Sequence, residues 1–146
     1  MWRLICVTVV AVTVMVACAT TREIDAPVVG VDFTVSTHDN PVARRFDLRL
    51  TSHSKRKICL PPEQWPNQSG KVDWARDYIS VRVGAKRFPL ADWNGGYCPG
   101  CYVAEVRPGE SVAAFIPYTD FENFGPENYQ AEKELAFPPN ASWCYR

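Results

Sequence analysis

Six cysteines, two histidines and five tryptophans carry most of the chemistry this chain has to offer. Cys98 and Cys101 flank Pro99-Gly100, the two-residue spacing of pairs that shuttle between dithiol and disulfide. Such work needs the first thiol at a helix N-terminus, where its pKa falls. Here Gly95-Gly96-Tyr97 precedes the pair and a β-like run follows it, so a structural clasp is the stronger reading. Zinc sites are commonly built from two close cysteine pairs; one is present, and no metal site is expected. His38 and His53 stand beside Ser, Thr and Asp in sequence that predicts turns. A triad from His53 with Ser52 or Ser54 needs a geometry that neighbours on one turn rarely reach, and no Gly-x-Ser-x-Gly elbow occurs. No carboxylate pair stands out for glycoside chemistry. No catalytic residue and no cofactor is assigned.

The aromatic residues offer binding rather than reaction. Trp65, Trp74, Trp93, Tyr97, Phe121, Phe124 and Tyr129 fall largely in predicted loops. Gathered at one end of a domain, they could stack on sugar rings or anchor a protein. Packing as a small core beneath the loops is the stronger alternative. The candidate contact residues are Trp65, Trp93, Tyr97, Phe121 and Phe124, with Trp65 and Trp93 foremost because each adjoins turn formers. Trp143, next to Cys144, is expected to cover a disulfide.

Cys18 has a different setting. Arg3 precedes an apolar stretch from Leu4 to Ala17, and the run Met15-Val16-Ala17-Cys18 ends it. This resembles the lipobox of bacterial lipoprotein precursors, with Met15 in place of the usual Leu. The resemblance implies cleavage after residue 17, acyl chains on Cys18, and a membrane anchor made of lipid. Ala19 then implies the outer membrane, facing the periplasm. Each buried methylene of the lipid would add about 0.8 kcal/mol. Residues 18–30 read as lipidated terminus and tether, and residues 31–146 as one domain. Cys6 is lost with the leader.

Four cysteines remain, Cys59, Cys98, Cys101 and Cys144, an even number that in an exported domain reads as two disulfides. Cys98–Cys101 with Cys59–Cys144 is preferred; the crossed pairings stay open. Without the leader the chain holds 15 basic and 16 acidic residues, so bulk attraction to nucleic acid is not expected. Residues 44–87 hold eleven basic and four acidic side chains, and residues 105–134 two basic and seven acidic. Compensation between neighbouring strands is preferred to a bipolar docking surface. The sequons Asn67-Gln68-Ser69 and Asn140-Ala141-Ser142 read as turn chemistry.

The elements that must position these residues are strands. Val31, Phe33 and Val35 alternate ahead of His38-Asp39-Asn40-Pro41, which predicts a turn. Phe46, Leu48 and Leu50 face one way and Asp47 and Arg49 the other, as a half-buried strand requires. Further strands are predicted at Ile58 to Leu60, Ile79 to Val83, Arg87 to Leu90, Tyr102 to Val106, Val112 to Tyr118, and around Leu135 and Phe137. An irregular segment covers residues 61–76, and a polar and aromatic loop with one helical turn covers 120–129. Seven or eight strands at this spacing predict an all-β, antiparallel, immunoglobulin-like β-sandwich. The runs FDLRLTSHSKRKICL, VRVG and VRPGESVAAFIPY are similar to those of small bacterial immunoglobulin-like domains, among them envelope lipoproteins and some proteinase inhibitors. The expectation is a lipid-anchored envelope protein whose non-catalytic domain binds a protein or cell-wall partner. The alternatives are a periplasmic inhibitor of a protease or lysozyme, and a redox or hydrolytic enzyme.

Overall fold

The strict alternation of residues 45–50 decides the centre of the molecule. In the computed structural model, which describes residues 25–62, 65–72, 78–91 and 103–145, Phe46, Leu48 and Leu50 are buried on one face of strand β2 (Arg45–Ser52). Strand β1 (Phe33–Asn40) pairs antiparallel with β2, Phe33 opposite Ser52 and Asn40 opposite Arg45. On the other side of β2 lies β7 (Ser111–Pro117), with Phe46 opposite Ile116 and Arg49 opposite Ala113.

Two more three-stranded antiparallel sheets complete the described structure. One has the order β6 (Ala104–Val106), β3 (Ile58–Leu60), β9 (Ser142–Trp143). The other has β5 (Lys86–Pro89), β4 (Ser80–Val83), β8 (Glu134–Ala136). The β4–β5 hairpin turns through Gly84 at φ 57°, a left-handed value that costs glycine nothing. The described residues are therefore all-β, apart from 3-10 turns at Tyr118–Asp120 and Pro126–Asn128. One continuous core draws on all three sheets, including Leu50, Leu60, Val81, Phe88, Val106 and Ile116. Each such side chain contributes about 1.5–3 kcal/mol on burial.

Several expectations need correction. His38-Asp39-Asn40 is not a turn: β1 runs through it, and the reversal falls at residues 41–44. Val31 is not an inward strand residue but is 70% exposed in the turn before β1. Three of the candidate contact residues take the stronger alternative, packing beneath the loops, and drop out of the contact surface. Trp65, Phe121 and Phe124 are 6%, 3% and 5% exposed, so they pack inward. Phe121 meets Phe46 edge-on at 5.9 Å, Phe124 meets Phe88 at 5.1 Å, and Trp65 meets Phe137 at 6.1 Å. Apolar loop residues find more free energy under their own loops than in water. Cys18, Trp93, Tyr97, Cys98 and Cys101 lie outside the described residues.

Cys59 and Cys144 form a disulfide, Cα atoms 5.0 Å apart, that ties the C-terminal strand to β3. The Cys144 amide also donates to the Lys57 carbonyl at 3.2 Å. Beside it the Arg56 guanidinium lies over the Trp143 ring at 4.3 Å and pairs with Asp25 at 2.7 Å. The β2–β3 turn thus fastens both ends of the described chain.

Candidate functional site

Period-two geometry that buries Phe46, Leu48 and Leu50 sends Arg45, Asp47 and Arg49 to the opposite face of the same sheet. Register then sets their neighbours. Asp47 lies between His38 and Phe115, and Arg49 between Ser36 and Ala113. The segment 65–72 crosses this face. It is held in shape by Asn67, whose Oδ1 accepts from the Ser69 and Lys71 amides at 2.8 and 3.2 Å. Gly70 sits at φ 82°, and a Cβ there would fall 2.3 Å from the Phe115 ring. The segment can lie this close to the sheet because that residue has no side chain.

Between the segment and the sheet is a groove of about 560 Å³, bordered by Ser36, His38, Arg49, Asn67, Gln68 and Phe115. This volume is within the range of small-molecule sites. Its charges are unequally partnered. Arg45 is committed: its guanidinium lies over Phe115, 4.7 Å from the ring centroid, and its Nε is 2.7 Å from Asp47 Oδ1. That contact is an ion pair rather than an aligned hydrogen bond, since Arg45 Nε has no acceptor in line. Asp47 is committed as well, because its Oδ2 accepts from Asn40 Nδ2 at 2.9 Å. Arg49 is the exposed cation of the groove, with no ion pair to another described residue.

The nearby carboxylate of Asp39 is used on the inner side. It accepts from the Tyr118 hydroxyl, and from Lys133 Nζ at 2.7 Å. Lys133 Nζ also donates to the carbonyls of Tyr129 and Ala131, each at 2.9 Å. Burial, then the hydrogen bond and charge of Asp39, push the Tyr118 hydroxyl far above the usual tyrosine range. Burial also raises the Asp120 carboxyl, with Lys71 and Thr119 partly offsetting it.

The residues singled out for reaction chemistry have other partners. His53 shares a 3.0 Å hydrogen bond with Thr34 Oγ1. Ser54 donates to the Arg56 carbonyl, and Ser52 is buried. Cys59, Cys144 and Glu105 cluster closely enough for metal ligation, but the two sulfurs are bonded to each other and Glu105 pairs with Lys57 at 2.9 Å. The groove was missed at the level of sequence, although its signal was present in the outward alternation of Asp47 and Arg49. What was absent was any local sign that residues 67–70 would cover them. No protein-family model, no curated protein and no solved structure matches the chain.

Proposed function

We propose that the protein is a lipid-anchored component of a bacterial envelope, held through Cys18, whose non-catalytic β domain binds a cell-wall component or a protein partner. The domain is read as an immunoglobulin-like sandwich, a form supported by its antiparallel sheets and shared core. The observation that carries the binding role is the groove over β1, β2 and β7. It is a concave surface of ligand size, lined by polar and apolar groups alike, on a sheet whose other face is buried in the core. A rigid scaffold presenting a groove under a loop suits recognition, since little ordering entropy remains to be lost on binding. The leader supports the anchor: Arg3, an uncharged stretch of eighteen residues through Thr21, and Cys18 after small residues.

Two measurements test the parts separately. Intact mass of membrane-extracted protein is expected to show loss of residues 1–17 and gain of acyl mass; an unmodified Cys18 overturns the anchor. A photo-crosslinker replacing Gln68, at the groove, is expected to give in-cell adducts with wall material or a discrete envelope protein. One replacing Lys86, in the β4–β5 hairpin, should not. Identical adduct patterns at the two positions would remove the groove as the contact surface.

A further inference from the structure

Arg49 calls for a ligand of particular chemistry. Its neighbours in register are both small, Ser36 on β1 and Ala113 on β7. Neither side chain is large enough to cover the guanidinium, which borders the groove. Arg45, on the same face of β2, lies over Phe115. Arg45 and Arg49 together outweigh the one carboxylate on this stretch of β2, Asp47, by a single positive charge. Asn67, which borders the groove, spends its side-chain oxygen on two backbone amides, and its NH₂ group can only donate. Gln68, exposed beside it, adds a second amide.

We propose that this groove is a binding site for a small carboxylate that also carries hydroxyl or amide groups, with Arg49 as the recognising residue. The inference rests on the reading of the domain as a binding module and names the ligand class of its groove. A planar guanidinium matches a carboxylate through two parallel hydrogen bonds. The net charge of one fits a monoanion better than a phosphate dianion, which Asp47 would repel. The rim amides suit the neutral polar groups of such a ligand. Two envelope sources present this chemistry: an acidic amino sugar, and the free C-terminus of a short wall peptide.

The test is an NMR titration of the detergent-solubilised protein, read at the Arg49 Nε–Hε resonance and the Ala113 methyl. N-acetylmuramic acid is compared with N-acetylglucosamine, which lacks its lactyl carboxylate. N-acetyl-D-alanyl-D-alanine is compared with its C-terminal amide, and inorganic phosphate serves as the other anion. At least one acid is expected to shift both resonances while its neutral counterpart does not, and the arm that responds identifies the source. Arg49→Gln is expected to weaken binding by about tenfold or more, the scale of a charge-assisted pair. Arg49→Lys should lose less, and Arg82→Gln, on β4 away from the groove, should change nothing. Because Arg49 is exposed, the variants should melt with the parent protein, so lost binding is not lost fold. Equal binding of acid and neutral probes, tighter binding of phosphate, no response to either acid, or full retention by Arg49→Gln overturns the proposal. A groove silent to acids that still crosslinks a protein from position 68 would remove the ligand class and leave the binding-domain reading intact.

Discussion

Lys133 is the residue where sequence-local expectation and tertiary need differ most. Lysine is usually a surface residue, yet this side chain is 0% exposed and its ammonium is shared by Asp39 and two backbone carbonyls. It also lies 5.1 Å from the centre of the Tyr118 ring. Replacing it with Met removes the cation and leaves Asp39 beside an apolar wall. Lys133→Met is expected to cost about 2–4 kcal/mol in urea unfolding, less than for a wholly buried pair because Asp39 keeps some solvent. Tyr118 gives a pH test at the same knot. Its hydroxyl stays protonated in the folded protein at pH values where an unfolded tyrosine ionises, above about 10. The native state then holds more protons than the unfolded one, so stability falls as pH rises beyond that point. Tyr118→Phe should lose about 1 kcal/mol at neutral pH and flatten this alkaline decline; an unchanged slope in the variant would assign the decline to other groups.

At the scale of elements, the segment 65–72 does for the outer face what the apolar alternation of β2 does for the inner one. It passes close to Phe115 at Gly70. Gly70→Ala adds both a left-handed residue with a Cβ and a collision with the ring. Together these are expected to cost about 2–3 kcal/mol and to displace Phe115, so that thermal melting and the Ala113 methyl shift change together. The strands themselves were legible wherever one face is apolar, as in Phe46-Leu48-Leu50 and in Val112 to Tyr118, because side-chain alternation is a local property. The second half of β1 was not. His38, Asp39 and Asn40 have turn-forming or polar side chains, and their strand geometry comes from pairing with Asp47, Phe46 and Arg45. Asp39 has a reason to be there, since the strand carries it to Tyr118 and Lys133.

At the largest scale, long-range pairing joins distant stretches of the described residues, by ion pairs and by a disulfide. Basic and acidic stretches meet at Lys57, just before β3, with Glu105 on β6, and at Arg82 on β4 with Glu134 on β8. The disulfide joins residues 85 positions apart. Replacing Cys59 and Cys144 together with Ser is expected to lower stability by about 4 kcal/mol, from the chain entropy regained on unfolding; guanidinium unfolding of the oxidised parent and the double variant measures it. A difference below about 1 kcal/mol would mean the short sheet of β6, β3 and β9 holds without its clasp. By itself the sequence determined the all-β class, the inward faces of the main strands and the even cysteine count of the body. Each follows from spacing between near neighbours or from composition. Only the tertiary structure decided that Trp65, Phe121 and Phe124 face the core, and that Ser36, Arg49, Gln68 and Ala113 border one groove. Those residues lie on four separate stretches of chain. Their proximity depends on strand register and on one close loop contact, which are set by the packing of the whole core rather than by any local pattern.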